Sequence, residues 1–100
     1  LNTTYARRRD IVMKLLKAVG AEPLPDQAGL FVWAEIPSRY ATGFEMSDAI
    51  LHASNVFITP GGIFGEQGNG YIRVSLCSSV EKLQEAIDRI VLSQKTGEAL

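Results

Sequence analysis

Residues Val56 to Cys77 read VFITPGGIFGEQGNGYIRVSLC. A short apolar run stops at Pro60, five glycines fall between Gly61 and Gly70, and a second strand-like run begins at Tyr71. Side chains on a strand alternate between faces, so Ile72, Val74 and Leu76 point one way and Tyr71, Arg73, Ser75 and Cys77 the other. The first set makes a core face. The second is polar in the middle and apolar at its ends, an unusual lining for a face that meets only water. Arginine suits the capture of a carboxylate, because its planar fork offers two parallel charge-assisted hydrogen bonds. Taken alone, Arg73 reads more readily as a solvent-facing strand residue or half of a weak surface ion pair. The loop before it changes that balance. Each glycine loses more backbone freedom on folding than any other residue, so five together point to positive φ values or close backbone approach. A phosphate-binding loop is excluded, since this one runs into a strand and lacks both Gly-Lys-Ser/Thr and G-x-G-x-x-G.

Outward from this stretch, Val12, Leu15, Leu16 and Val19 follow the i, i+3, i+4, i+7 spacing of an amphipathic helix over Thr4 to Val19, with Gly20 as its stop. Pro23 and Pro25 keep the next residues extended. GLFVWAEIP, Gly29 to Pro37, reads as a strand with two largely apolar faces, which places it centrally in a sheet. Phe31 and Trp33 share one of those faces and are read as core. Thr42 precedes Glu45 at capping-box spacing, and a helix to about Ala53 buries Met46, Ile50 and Ala53. VFIT, Val56 to Thr59, is long enough only for an edge strand. YIRVSLC forms the last strand, and Ser78 with Glu81 repeats the capping box. The final helix turns Val80, Leu83, Ile87, Ile90 and Val91 inward and frays near Gly97. The expected order is α-β-α-β-β-α. That is an α+β fold, a small mostly antiparallel sheet with helices covering the Ile72, Val74 and Leu76 face.

One hundred residues make a single domain, 1–100, and 46% hydrophobic residues is ordinary for a globular chain. Ten basic and eleven acidic residues give a formal charge of −1, too balanced to point to nucleic acid or an anionic membrane. No apolar run reaches the roughly 20 residues that span a bilayer, and the start lacks the layout of a signal peptide. A single cysteine, Cys77, makes no internal disulfide, which fits a reducing cytoplasm. One histidine and one cysteine do not make a zinc site of the usual kind.

The whole arrangement resembles the C-terminal, small domain of a class I/II, fold type I pyridoxal-phosphate-dependent aminotransferase. YARRRDIVMKLLKAVG is similar to the helix opening that domain, and AGLFVWAEIP to its G-x-F-φ-φ-W strand. ASNVFITPGGIFGEQGNGYIRVSLC is close to the family pattern a-g-V-x-φ-x-P-G-x-x-F-G-x-x-G-x-G-x-φ-R-φ-S, which is the specific part of the match. The resemblance implies that Arg73 binds the α-carboxylate of the substrate, that Phe64 lies beside the substrate entrance, and that Phe31's end of its strand comes close to the substrate. It implies amino-acid and 2-oxo-acid substrates, a homodimer, and pyridoxal phosphate held by a large domain of the same chain. That domain would supply the Schiff-base lysine, the aspartate facing the pyridine nitrogen and the phosphate clamp. Lys14, Lys17, Lys82 and Lys95 match none of those settings, so this segment is expected to be part of a longer chain and inactive alone. The wording of the glycine loop and last strand looks most like the LL-diaminopimelate and aspartate aminotransferase branch.

Two other readings stand beside this one. The first is a stand-alone α+β module that binds small ligands or partner chains. The second is a decarboxylating or carbon–carbon-bond-forming enzyme of the same fold type, which would keep Arg73. Among the remaining residues, His52 reads as a cation at a helix end and Cys77 as a small packing residue. Arg7, Arg8 and Arg9 are spread around a helix, free to pair with Asp10 or a neighbouring domain, and are too few for a nucleic-acid patch.

Overall fold

The computed structural model describes residues 3–25, 27 and 29–96. The first helix, α1 (Thr3–Val19), buries Val12, Leu15, Leu16 and Val19, the four residues at helical spacing. It ends at Gly20, which has φ of +79° and donates its N–H to the Lys17 carbonyl. Arg39 Nη2 lies 3.1 Å from the Val19 carbonyl, a cation at the negative end of the helix. The Arg7–Arg9 run does not pair with Asp10. Instead, Arg8 donates to the Leu76 carbonyl at 3.0 Å and Arg9 to the Gly29 carbonyl at 2.9 Å.

Four antiparallel strands follow the order β1-β2-β4-β3, where β1 is Glu22–Pro23, β2 Phe31–Glu35, β3 Thr59–Pro60 and β4 Tyr71–Ser75. The apolar run of β2 is central, as its two apolar faces require. Strand β1 adds an element to the expected order, because two residues flanked by prolines carry no periodic signal. The edge strand is Thr59–Pro60, so Val56 to Ile58 lie outside it, and β4 stops at Ser75, short of Cys77. Cys77 is exposed and does not pack.

Helix α2 (Gly43–Ser54) opens where the first capping box places it, with the Thr42 hydroxyl accepting from the Glu45 N–H at 3.2 Å. Met46 and Ile50 are buried, and Ala53 is half-buried. Helix α3 (Val80–Lys95) opens one residue later than its capping-box spacing implies. Ser79, not Ser78, accepts from a backbone N–H, that of Lys82 at 3.2 Å. Leu83, Ile87 and Ile90 are buried, whereas Val80 and Val91 are half-buried. The expected fraying near Gly97 lies outside the described residues.

The three helices pack on the sheet face made by Val32, Ala34, Ile72 and Val74, with Leu76 just beyond β4, and these residues join the helix stripes in one hydrophobic core. The opposite face stays open. Its residues Phe31, Trp33, Tyr71, Arg73 and Ser75 are half-buried or exposed. Phe31 and Trp33 therefore face away from the core, contrary to the reading of their strand. With helices on only one side, the smaller Val32 and Ala34 fill the space under α1 and α2, and the large rings fall on the open side.

Between β3 and β4 the chain makes two short 3-10 turns, Gly61–Phe64 and Glu66–Gly68. Close approach explains more of the glycine than positive φ does. Within this loop Gly65 alone has positive φ, +134°, among the described glycines. A Cβ added to Gly61 would sit 2.5 Å from the Gly68 carbonyl oxygen, 2.9 Å from that of Tyr71 and 3.0 Å from Trp33 Cζ3. A Cβ on Gly68 would meet the Gly61 carbonyl in return. The Gly43 N–H bonds the Asn69 carbonyl at 2.7 Å, tying the loop to the start of α2.

Candidate functional site

Arg73 sits at the middle of β4, directly opposite Trp33 on β2 and Thr59 on β3. The period-two alternation that buries Ile72 and Val74 turns Arg73 to the open face. Phe31, paired with Ser75, lies diagonally across from it, and the glycine loop brings Phe64 over from the other side. The Arg73 Cζ is 3.9 Å from the Phe31 ring centroid, 4.2 Å from that of Phe64 and 6.0 Å from that of Trp33. Trp33 and Phe64 meet edge to face, with centroids 5.8 Å apart.

The guanidinium is thus half-buried against aromatic carbon, with no hydrogen bond or ion pair to a described residue. A side-chain ion pair, Arg89–Glu85, lies on the exposed surface of α3, and Arg73 takes no part in it. Aromatic faces attract the charge but leave its N–H donors unspent. A carboxylate arriving at this group meets a cation already partly desolvated, where a charge-assisted pair is stronger than on a bare surface. Beside it, Trp33, Phe64, Tyr71 and Leu24 wall a cleft of about 290 Å³ with the backbone of Gly61 and Gly68 at its side.

Both residues singled out in the sequence therefore come together, Arg73 from β4 and Phe64 from the loop. Trp33, read as core, and Phe31, whose end of the strand the family resemblance brings towards the substrate, complete the same cluster. The signal for them was parity along β2, which places both rings on one face. Only the register of β2 against β4 reveals that this face is also that of Arg73.

The sequence profile of aminotransferase class I and II matches residues 1–90. The chain belongs to that family, whose architecture is that of fold type I pyridoxal-phosphate enzymes. It is 38% identical over 90 residues to the LL-diaminopimelate aminotransferase of Nitratidesulfovibrio vulgaris (strain Miyazaki F), covering 90% of this chain and 23% of that protein. It is 36% identical over 93 residues to the aspartate aminotransferase of Pyrococcus abyssi, covering 91% of this chain and 24% of that one. Among solved structures, the aromatic aminotransferase of Pyrococcus horikoshii superimposes with a TM-score of 0.77 at 31% identity, over 94% of this chain and 26% of that one. The chain spans about a quarter of the length of these relatives.

Members of this family are generally pyridoxal-phosphate dependent. The described residues do not fit that cofactor by themselves. Lys14 and Lys17 are exposed on α1, and Lys82 and Lys95 are exposed on α3, in the helical layer behind the sheet. None belongs to the aromatic cluster on the open face, although Lys82 and Arg73 both line a second pocket between β3, β4 and α3. Among the described residues no group of three His, Cys, Asp or Glu side chains is placed to hold a metal ion, and no helix is long and apolar enough to cross a membrane.

Proposed function

We propose that this chain is the C-terminal, small domain of an aminotransferase that moves an amino group between an amino acid and a 2-oxo acid, with Arg73 binding the substrate's α-carboxylate. The observation that carries the reading is the state of Arg73. It is a half-buried guanidinium, held by Phe31 and Phe64, with no hydrogen bond or ion pair to a described residue. A structural ion pair would have an acid beside it. Here the fork is held but its donors meet no acceptor among the described residues, which suits an anion that comes and goes. Two parallel hydrogen bonds from the fork also fix the angle of the substrate about its α-carbon, so that the bond to be broken points one way. Phe64, 54% exposed on its loop, stands at the approach to that fork.

Pyridoxal phosphate, the electron sink of such a reaction, would be held by parts of the parent protein other than the residues described above. Similarity to LL-diaminopimelate and aspartate aminotransferases supports a substrate from that branch. The same reading carries with it a homodimer and a cytoplasmic location. Family membership favours it over a stand-alone binding module.

The test is amino transfer by the parent protein, loaded with pyridoxal phosphate, from a panel containing L-aspartate, aromatic L-amino acids and LL-2,6-diaminopimelate to a 2-oxo acid. Turnover of at least one donor, with kcat/KM lowered roughly a hundredfold or more by Arg73→Gln, is the expected result. An Arg73→Gln protein with unchanged kcat/KM would refute the role given to Arg73.

A further inference from the structure

We propose that Phe31 is a positioning residue for the reaction, the fixed wall that sets the orientation of the Arg73 guanidinium before substrate arrives. This rests on the reading of Arg73 as the carboxylate-binding group. Its ground is a division of labour between the two rings in contact with Arg73. At 3.9 Å and 4.2 Å from Cζ, Phe31 and Phe64 both touch the guanidinium, but they come from different kinds of backbone.

Phe31 opens β2, where it pairs with Ser75 of β4, and its neighbour Val32 is fully buried in the core. The ring's base is therefore held by the sheet ladder and by helix packing beneath it. Phe64 rides on a four-residue 3-10 turn and is 54% exposed, so its position follows the loop. A long arginine side chain on an open sheet face otherwise samples many rotamers, and each is lost when a ligand binds. A ring fixed on the neighbouring strand removes part of that loss beforehand.

The ring type matters as well. A glutamate or aspartate at position 31 would hold Arg73 equally firmly but would occupy the fork and repel an incoming carboxylate. A phenyl face attracts the cation and competes for none of its N–H donors. Phe31 also has little to do for the core. It is 37% exposed on the side of the sheet away from the helices.

The experiment uses the parent protein with its cofactor. The probes are two competitive inhibitors, the 2-methyl analogue of the best donor from the panel and the α-carboxamide of that analogue. The 2-methyl group removes the α-proton, so neither compound turns over. In Phe31→Leu the inhibition constant of the acid is expected to rise about tenfold, with that of the carboxamide changing less than about twofold. Phe31→Tyr, which keeps the ring, is expected to restore the acid's constant, and Arg73→Gln to abolish the preference for acid over amide.

Equal weakening of acid and amide in Phe31→Leu would overturn the inference, since a merely structural defect gives that result. An unchanged acid constant would overturn it too, as would failure of Phe31→Tyr to restore binding. If instead Arg73→Gln keeps the preference for the acid, the reading of Arg73 falls first, and that outcome is distinct from the other three.

Discussion

Gly61→Ala and Gly70→Ala make the sharpest test of how the glycine loop is held. Both sit in the same loop, and neither has positive φ. An added methyl at Gly61 would lie 2.5 Å and 2.9 Å from two backbone carbonyl oxygens and 3.0 Å from an indole carbon, whereas at Gly70 it meets nothing within 4 Å. Backbone oxygens do not rotate aside as a side chain does. The Gly61 change must separate the Gly61–Gly68 crossing, and overpacking of that kind costs about 2–3 kcal/mol. Gly70→Ala meets no such obstacle and restricts the unfolded chain, for a gain of about 0.5 kcal/mol. The two variants should thus differ by about 3 kcal/mol, which at a urea dependence of about 1.5 kcal/mol per molar separates their midpoints by about 2 M. Trp33, the single tryptophan of this chain, touches the loop through its Cζ3 atom and reports the transition by fluorescence. Coincident midpoints would refute the claim that close approach of Gly61 and Gly68 holds the loop.

Arg73→Lys in the parent enzyme keeps the charge but loses the fork, and should lower kcat/KM by roughly two orders of magnitude in steady-state assays. The same change should move the melting temperature by only a few degrees, because Arg73 gives the fold aromatic contacts and no hydrogen bond to a described residue. Large loss of stability with kcat/KM intact would make Arg73 a structural residue. At the start of α3, Ser79→Ala should cost about 1 kcal/mol by urea denaturation, whereas Ser78→Ala should stay within about 0.5 kcal/mol. This chain alone, incubated with pyridoxal phosphate, is expected to show no amino transfer and no visible absorbance beyond that of the free cofactor.

The helices and the two inner strands were legible because each repeats a period over several residues. Val12 to Val19 spell a helix stripe, and Tyr71 to Ser75 alternate cleanly. Arg73 was legible for the same reason, since alternation alone separates it from Ile72 and Val74. The family pattern then gave it a partner in Phe64. What escaped had no period to read. Glu22–Pro23 form a strand only because Ala34 and Glu35 lie alongside. Ser78 and Ser79 are chemically equal as caps, and the one-residue choice is made by the turn after Ser75, not by spacing. Trp33 and Phe31 escaped for a different reason. Both faces of β2 are apolar, so the sequence holds two equivalent assignments, and the helices packed on one side break the tie.

The strand order has a further consequence at its two ends. Each outer strand is only two residues long, and each contains a proline, Pro23 in β1 and Pro60 in β3. A sheet edge invites a strand from another molecule wherever it presents a run of unpaired N–H and C=O groups. Proline has no N–H to present, and two residues make too short a template for a foreign strand to extend. On β1 the block faces outward. The Leu24 N–H turns inward to the Trp33 carbonyl, so by alternation the nitrogen of Pro23 points away from the sheet. An open face rich in aromatic carbon would ordinarily make a small sheet prone to aggregate. Here both edges are closed to strand addition, so the apolar face stays available for recognition without becoming a seed for fibres.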